Sequence, residues 1–272
     1  MLIVKQKQHS DTLHPFDLRD RGLLLGDGVF DTSRICQGEI MLKAAHLARL
    51  KRSASMFGID WPQQIIEDTL SELKAAQADG ILRLTLTRGP SGRGVATQDA
   101  PTPTLMAHVS AFDPRLQGQV LRLQTSTVRR NAQAPSSQHK TLAYIDNIYA
   151  DQQAKRAGFD LPLLLNTDAR VSSVSIGNIF ALNGQTLTTP PPSEGVIAGI
   201  IRDWILTKAP ALGYTVIEAP LHPDMLKQAQ HVFMTNSVRL ICPVSQIDST
   251  HISPDLPDTL QTALMAQMGW DS

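Results

Sequence analysis

The chain has 272 residues, of which 42% are hydrophobic and 18% charged, so it can bury a substantial core in one large domain or two medium ones. Twenty-five basic residues balance twenty-five acidic ones, which excludes a general electrostatic attraction to nucleic acid or to an acidic membrane surface. The two cysteines, Cys36 and Cys242, lie outside any CxxC or Cys/His cluster, which argues against a disulfide framework and against a zinc site.

The N-terminal stretch, MLIVKQKQHSDTLHP, has only a very short apolar run, and no apolar stretch of the sequence is long enough to span a bilayer. We therefore expect neither export nor membrane insertion. The cysteine usage fits a reducing cytoplasm.

The first part of the chain alternates helical and strand patterns. The apolar stripe of AAHLARLKRSASMFG predicts a helix, and a second amphipathic helix is predicted from Pro62 to about Gly80. The segments ILRLTLT and TLMAHVSAF are predicted strands, with the flexible loop GPSGRG between them. The turn-rich DPRLQGQ predicts a seam near residues 113–119.

The second part opens with the predicted strand VLRLQTSTV and the polar stretch NAQAPSSQ. A long helix is predicted from about Thr141 to Ala157, and another helix begins near Ala198. The dipeptide Asn183-Gly184 is a strong hairpin signal between two short strands. Further strands are predicted at LPLLLN, VSSVSIGNIF, YTVIEA and VFMTNS, which completes an α+β pattern.

The strand VSSVSIGNIF is unusual because it is rich in hydroxyl groups. Period-2 alternation places Val171, Ser173 and Ser175 on one face, which predicts two serines side by side on an interior surface. Interior hydroxyl groups need hydrogen-bond partners, so these serines contact either another part of the protein or a ligand.

Four segments could carry chemistry, and each also has a plain structural explanation. Lys140 in HKTLAYIDN and Arg49 in HLARL could be solvated surface residues. EGVIAGIIRDW leads a glycine-containing turn into a helix, whose first N–H groups could bind a phosphate, although many helices begin this way without a ligand. VFMTNSVR ends a strand with three hydrogen-bonding side chains, which a turn would also explain.

Several segments in a fixed order match the motifs of one family. They are RGLLLGDGVFDTSR, HLARL, LTLTRGPSGRG, HKTLAYIDN, VSSVSIGNIF and TNSVRLICPV. Together they cover almost the whole chain and resemble the fold-type IV pyridoxal 5'-phosphate (PLP) enzymes, the class-IV aminotransferase family. Within the family, GDGVF, RG followed by GRG, and TNSVR look most like 4-amino-4-deoxychorismate lyase, with D-amino-acid aminotransferases next.

The resemblance implies an α+β, two-domain fold of the D-amino-acid aminotransferase type. It implies an N-terminal α+β domain of residues 1–115, a C-terminal α/β domain of residues 116–272 and an active site at the domain interface. It also implies PLP as the cofactor, no metal, a small-molecule substrate, and a cytoplasmic homodimer that binds neither nucleic acid nor membranes.

The resemblance assigns roles residue by residue. Lys140 matches the lysine that forms the Schiff base with the cofactor aldehyde and shuttles the proton, and Arg49 matches a phosphate-binding arginine. The remaining phosphate ligands match the backbone of Gly199, Ile200 and Ile201 and the hydroxyl of Ser237. Branched-chain relatives have threonine at position 201, so the isoleucine here removes one side-chain donor and leaves the N–H groups.

Ser173 departs from the family pattern, which usually has a glutamate at this position to keep the pyridine nitrogen protonated. A serine hydroxyl can only hydrogen-bond a neutral nitrogen, so the cofactor ring should withdraw electrons less strongly. The alternative is that Ser173 is merely a small strand residue, with a water molecule in the lost volume.

A weaker electron sink favours elimination over transamination, because aromatisation to 4-aminobenzoate drives the elimination. The resemblance therefore implies a lyase that releases 4-aminobenzoate and pyruvate, a step of folate biosynthesis. The alternatives are a class-IV aminotransferase acting on D-amino acids or related amines, and a PLP-binding protein without catalysis. Arg34 and Arg93 are candidate ligands for substrate carboxylates, although both could be solvated loop residues.

Overall fold

The computed structural model describes residues 3–6, 16–75, 79–92, 94–96 and 102–267. The chain divides into two units, residues 1–113 with 139–143 and residues 114–138 with 144–272. Among the described residues, no helix is both long enough and apolar enough to cross a membrane.

Five described strands form the sheet of the first unit: β1 (Ile3–Gln6), β2 (Gly28–Cys36), β3 (Glu39–Ile40), β4 (Gly80–Thr87) and β5 (Thr104–Ser110). Their spatial order is β1-β5-β4-β2-β3. β1 runs parallel to β5, and the other neighbours are antiparallel. The three helices described in this unit are α1 (Arg21–Leu25), α2 (Lys43–Met56) and α3 (Gln63–Ala75).

The first core forms because β4 alternates as its sequence predicts. Leu82, Leu84 and Leu86 are buried in one cluster with residues of α2 and α3 such as Leu50 and Leu70. The intervening residues of β4 therefore lie on the opposite face of the sheet. The predicted helices at α2 and α3 and the predicted strands at β4 and β5 are confirmed.

A second sheet contains the nine strands described in the second unit. They are β6 (Leu121–Arg130), β7 (Leu161–Asn166), β8 (Val171–Val174), β9 (Asn178–Asn183), β10 (Thr186–Thr189), β11 (Thr215–Glu218), β12 (His231–Asn236), β13 (Leu240–Ile247) and β14 (Thr250–His251). The order is β11-β10-β9-β12-β13-β6-β7-β8, and β14 pairs with β13. The described helices are α4 (Pro135–Gln138), α5 (Ile145–Arg156), α6 (Ile200–Lys208), α7 (Pro223–Lys227) and α8 (Thr259–Gln267).

The hairpin predicted from Asn183-Gly184 is confirmed. β9 and β10 are antiparallel with Asn183 opposite Thr186, so Gly184 and Gln185 form the two-residue turn. Gly184 has a φ of 57°, in the left-handed region that such turns require and that glycine adopts without strain.

Two boundaries differ from the prediction. The helix expected from Thr141 begins at Ile145, because residues 140–142 are extended and pair with β2. The predicted strand VSSVSIGNIF is two strands, β8 and β9, separated by a turn at residues 175–177.

The predicted alternation of Val171, Ser173 and Ser175 on one face is wrong. In β8 the register against β7 shifts, so that Leu164 pairs with Ser173 but Leu165 pairs with Val171. Ser172 is the extra residue of this β-bulge. As a result Val171 and Val174, three residues apart, are both buried in the same core cluster.

Candidate active site

Lys140 lies on an extended segment that pairs with the start of β2. The N–H of Phe30 donates to the carbonyl of Lys140 at 2.9 Å, and the N–H of Leu142 donates to the carbonyl of Gly28 at 3.0 Å. A Cβ atom on Gly28 would lie 2.7 Å from Leu142 Cδ1 and 3.0 Å from the carbonyl oxygen of Leu86, so a larger residue here would require its neighbours to move. The Nζ atom of Lys140 lies 4.4 Å from the centre of the Phe30 ring.

Two arginines share the sheet face that carries Phe30. Phe30 and Arg34 are four positions apart on β2 and so lie on the same face, and Thr32 between them pairs with Arg83 of β4. The Cζ atom of Arg83 lies 3.6 Å from the centre of the Phe30 ring. We call Phe30, Arg34, Arg83 and Lys140 the cationic face.

Arg34 is buried, and its Cζ atom lies 3.5 Å from the centre of the Phe112 ring. Burial lowers the pKa of its guanidinium. The structure thus places Arg34 on the same sheet face as Phe30, and Lys140 contacts the Phe30 ring. Arg93, the other candidate for substrate binding, lies outside the described residues.

Sequence reasoning missed Arg83, although a signal was present. Arg83 interrupts the leucines of ILRLTLT at a position facing away from the core, where a solvated side chain is the ordinary expectation. The strand pairing that brings it to Phe30 depends on residues about fifty positions away, which the alternation alone does not identify.

Arg49 of α2 is fixed by a buried carboxylate. Its Nε and Nη2 atoms donate to the two oxygens of Asp31 at 2.8 and 2.9 Å, and His46 Nδ1 lies 2.6 Å from Asp31 Oδ1. The second terminal nitrogen of Arg49, Nη1, has no hydrogen-bond partner among the described residues.

The charge state of Asp31 follows from these contacts. Burial disfavours its ionised form, but the hydrogen bond with His46 and the charge and hydrogen bonds of Arg49 outweigh burial and lower the pKa of Asp31. Asp31 is therefore an anion that holds Arg49 in one orientation.

Asp27 organises the loop before β2 in a similar way. It accepts hydrogen bonds from Arg21 Nε at 2.7 Å and from Arg88 Nε at 2.8 Å. Burial opposes ionisation of Asp27, but the bonds from Arg88 and Arg21 outweigh it and lower its pKa. This network ties the segments RGLLLGDGVF and LTLTRG together next to Gly28.

In the second unit, α6 begins with free backbone donors. Gly199 is its N-cap, no side chain caps the helix, and the N–H groups of Ile200 and Ile201 donate to no described residue. The Ile201 side chain is buried at 1% exposure, so position 201 offers only its backbone N–H to a ligand. The helix dipole places partial positive charge at this end.

Asn178 and Gly199 fix the start of α6. The Asn178 side-chain amide donates to the carbonyl of Ile197 at 2.9 Å, and a Cβ atom on Gly199 would lie 2.0 Å from Asn178 Oδ1. Only glycine permits this approach. Thr235, paired with Asn178 across β9 and β12, has a buried hydroxyl with no partner among the described residues.

Ser237 lies in the turn that follows β12. Asn236 shapes this turn, because its Oδ1 atom accepts from the N–H groups of Val238 and Arg239 at 2.9 and 2.7 Å. Ser237 is partly exposed, and its hydroxyl makes no hydrogen bond to a described residue, so it is available to a ligand.

Ser173 and its neighbours differ in their partners. Ser172 donates to the carbonyl of Gly195 at 3.1 Å, and the Ser175 hydroxyl lies 3.4 Å from Asp151 Oδ1. Ser173 is 7% exposed and has no hydrogen-bond partner among the described residues.

These residues fit PLP. An uncapped helix start with a glycine that no side chain could replace suits a phosphate. A lysine amine beside an aromatic ring suits the cofactor aldehyde. In each unit, the residues predicted for the cofactor include donors that no described residue uses: Nη1 of Arg49, the N–H groups of Ile200 and Ile201, and the hydroxyls of Ser173 and Ser237.

Comparison with known proteins identifies the family. A model of the amino-transferase class IV family matches residues 28–247. A protein of Methanocaldococcus jannaschii, provisionally named a branched-chain-amino-acid aminotransferase, is 32% identical over 239 residues, covering 86% of this chain and 83% of that protein.

Two further relatives have different activities in their names. The aminodeoxychorismate lyase of Bacillus subtilis is 28% identical over 250 residues, covering 88% of this chain and 83% of the lyase. The D-alanine aminotransferase of Bacillus licheniformis is 28% identical over 259 residues, covering 91% of this chain and 90% of that enzyme.

The solved structures show the same fold. The 4-amino-4-deoxychorismate lyase from Pseudomonas aeruginosa superimposes with a TM-score of 0.86 at 28% identity, covering 94% of this chain and 97% of the lyase. A hypothetical aminotransferase from Mycobacterium tuberculosis, in its PLP-bound form, has the same fold with a TM-score of 0.82 at 23% identity, covering 95% of this chain and 96% of that protein. The chain therefore belongs to the amino-transferase class IV family, the PLP-dependent enzymes of fold type IV.

Proposed function

We propose that the protein is a PLP-dependent lyase that converts 4-amino-4-deoxychorismate to 4-aminobenzoate and pyruvate. The observation that carries the proposal is the cationic face, where Arg34 and Arg83 lie on the same sheet face as Phe30, the ring that Lys140 contacts. The likeness to aminodeoxychorismate lyases in sequence and structure supports it.

Two guanidinium groups suit a substrate with two carboxylates. Aminodeoxychorismate carries one carboxylate on its ring and one on its enolpyruvyl group, whereas D-alanine carries a single carboxylate. Guanidinium binds carboxylate through paired hydrogen bonds, so Arg34 and Arg83 can each recognise one group.

The cofactor roles follow the residues described above. Lys140 Nζ binds the aldehyde of PLP, and Nη1 of Arg49 binds its phosphate. The N–H groups of Gly199, Ile200 and Ile201 and the hydroxyl of Ser237 bind the phosphate as well, and Ser173 faces the pyridine nitrogen. The uncapped start of α6 supports this assignment.

The reaction requires one proton acceptor. When bound, PLP withdraws electron density from the substrate carbon that carries the amine. Lys140 Nζ accepts the proton from that carbon, while Arg34 and Arg83 hold the two carboxylates. The C–O bond to the enolpyruvyl group then breaks, the ring becomes aromatic, and the leaving group takes up a proton and departs as pyruvate. No oxidant or reductant is needed.

An aminotransferase acting on D-amino acids or related amines is the second candidate, because relatives with aminotransferase names are 32% and 28% identical to this chain, against 28% for the lyase of Bacillus subtilis. Ser173 favours the lyase over this candidate. Amino-group transfer depends strongly on a protonated ring nitrogen, which a hydroxyl cannot maintain, whereas aromatisation drives the elimination.

The test is a product assay on the PLP-loaded protein. Aminodeoxychorismate should yield pyruvate and 4-aminobenzoate in equal amounts, and Lys140→Ala should abolish both, whereas Lys74→Ala, a surface control, should not. Transfer of an amino group from D-alanine to a keto acid, without pyruvate from aminodeoxychorismate, would support the second candidate. Neither reaction in a protein that binds PLP would support a binding role without catalysis.

A substitution separates the role of Arg83 from general damage. Losing one charged hydrogen bond should cost about 1.5–3 kcal/mol, so Arg83→Gln should raise KM for aminodeoxychorismate by roughly tenfold or more. The affinity for PLP should be unchanged. An unaltered KM in Arg83→Gln and in Arg34→Gln would remove the support that the cationic face gives.

We also propose that the protein acts in the cytoplasm, in folate biosynthesis, and as a homodimer. Its reaction would supply 4-aminobenzoate. Sedimentation equilibrium of the PLP-loaded protein should give twice the 29.7 kDa mass of the chain, and a monomer would contradict the dimer.

A further inference from the structure

Arg130, at the end of β6, is a partly buried cation that the roles proposed above leave unexplained. Its Nη2 atom donates to Asn147 Oδ1 at 3.0 Å, which is a neutral acceptor. No carboxylate of the described residues lies within ion-pair distance of it. Desolvation lowers the pKa of Arg130.

The Arg130 side chain contacts two residues, Gly195 and Asn147, that in turn hydrogen-bond to Ser172 and Ser175. Its aliphatic part lies against Gly195, where a Cβ atom would approach Arg130 Cδ to 3.2 Å, and Gly195 accepts the hydrogen bond of Ser172. At the other end, Asn147 links the guanidinium to the carbonyl of Ser175, to which its amide donates at 2.6 Å. Arg130 is therefore linked to Ser172, which precedes Ser173, and to Ser175, which follows it.

Other charged and titratable groups nearby do not neutralise Arg130. Tyr144 donates its hydroxyl to the Ser175 carbonyl at 3.3 Å. Tyr144 and then the exposed Asp146 raise the pKa of Arg130 through space, but desolvation outweighs both. Asp151 forms an ion pair with Lys155 at 2.6 Å. The neighbours of Ser173 on both sides are thus linked to Arg130 through Gly195 and Asn147, and the Ser173 hydroxyl has no hydrogen-bond partner among the described residues.

A desolvated cation without an anion is unfavourable unless a ligand uses it. A pyridine nitrogen at Ser173 would meet a hydroxyl donor and a guanidinium. A nearby positive charge disfavours protonation of a base, and a neutral nitrogen accepts a hydrogen bond from a hydroxyl.

We propose that Arg130 and Ser173 together face the pyridine nitrogen of bound PLP, and that Arg130 keeps this nitrogen unprotonated. This inference rests on the proposed cofactor role of Ser173. It explains how the chain functions without a carboxylate at position 173: the ring is held neutral by a cation, which restricts the enzyme to reactions that need only a weak electron sink.

The first test is the ¹⁵N chemical shift of ¹⁵N-labelled PLP bound to the protein. The wild-type signal should be that of an unprotonated pyridine, and Ser173→Glu should move it to the protonated position. Arg130→Met should move it part of the way. A protonated nitrogen in the wild type, with PLP bound, would overturn the inference and leave the proposed lyase function intact.

A second test needs no cofactor. Urea unfolding of Ser173→Glu, Arg130→Met and the double variant measures the coupling between the two positions. A carboxylate next to Arg130 should form an ion pair, so the coupling should change the unfolding equilibrium constant by about tenfold. Ser173→Asp, which adds less volume, replaces Ser173→Glu if the larger side chain prevents folding.

Arg122 provides the matched control, because it lies on the same strand as Arg130 but is half exposed and interacts with Asp160. Coupling of Ser173→Glu with Arg122→Met should be negligible. Equal coupling at Arg122 and Arg130 would overturn the inference. A protein that bound no PLP would contradict both the inference and the proposed function, whereas bound PLP without lyase products would contradict the function alone.

Discussion

Two arginines withdrawn from solvent, one in each unit, differ in what neutralises them. Arg49 donates two hydrogen bonds to the buried carboxylate of Asp31, which His46 also contacts. Arg130 contacts the neutral amide of Asn147 and has no described carboxylate within ion-pair distance. The chain itself neutralises the first cation, whereas we propose that a bound ligand uses the second.

The difference shows how the same residue type can serve structure or chemistry. An arginine locked by a carboxylate offers its remaining nitrogen in one direction, which suits the fixed position of a phosphate. An arginine without an anion creates an electrostatic potential that acts on whatever binds next to it. We expect a substitution at the first site to cost far more stability than one at the second.

The largest effect is expected from removing each arginine. Arg49→Met leaves Asp31 buried without its cation and should lower the free energy of unfolding by about 3–5 kcal/mol. Arg130→Met keeps most of the aliphatic packing and loses one hydrogen bond to a neutral amide, but it also removes a desolvated charge, so it should change stability by no more than about 1 kcal/mol. Urea unfolding of the two variants measures both values, and equal losses would contradict the contrast.

Removing the Asp31 carboxylate tests whether it orients Arg49 for a phosphate. Asp31→Asn should reduce affinity for PLP but leave affinity for pyridoxal, which lacks the phosphate, nearly unchanged. Fluorescence titration with the two ligands measures this ratio. A parallel loss for both ligands would show that Asp31 supports the fold and does not orient Arg49 for a phosphate.

Asp31 also predicts a dependence of stability on pH. Because the pKa of Asp31 is lower in the folded protein than in the unfolded chain, its contribution is present above the unfolded value of about 3.9 and is lost as pH falls through the folded value. Asp31→Asn should therefore be less sensitive to acid below about pH 4 than the wild type. Unfolding curves at several pH values check this, and identical pH profiles would contradict it.

Giving Arg130 a carboxylate should make the second site resemble the first. Ser173→Glu should raise amino-group transfer relative to elimination, since a carboxylate supports a protonated ring nitrogen. Overpacking could cost about 1–3 kcal/mol, so folding and PLP binding must be measured alongside. An unchanged ratio of products in a folded, PLP-bound variant would show that position 173 does not control the electronic state of the ring.

The smallest effects are expected from removing single hydroxyl groups on β8. Ser172→Ala loses the hydrogen bond to Gly195 and should lower stability by about 1 kcal/mol without changing PLP absorption. Ser173→Ala has no described hydrogen bond to lose, so it should leave stability nearly unchanged but weaken PLP binding mildly. Equal effects of the two substitutions on PLP binding would contradict the assignment of Ser173.

Local pattern predicted most elements of the fold. The apolar stripe of α2 and the alternating leucines of β4 are residues that the structure buries or partly buries in one core cluster, and both elements lie where the sequence predicts them. The bulge at Ser172 and the extended conformation of Lys140 could not be predicted in this way. Both depend on pairing with distant strands, β7 and β2, which no periodicity within the segments reports.

The candidate site shows the same limit. Motif resemblance predicted Lys140, Arg49, Ser173, Ser237 and the start of α6, because these residues stand in recognisable local sequences. It did not predict Asp31, Arg83 or Arg130, because their roles depend on contacts with residues that are distant in the sequence, such as Arg49, Phe30 and Asn147. Arg93 lies outside the described residues, and its role stays a prediction.

The proposed function depends most directly on Lys140 as the residue that holds the cofactor. Reduction of the PLP-loaded protein with borohydride, followed by proteolysis and mass spectrometry, identifies the lysine that carries the cofactor. We expect the label on the peptide that contains Lys140, and we expect Lys140→Ala to take up none. A label on another lysine would contradict it.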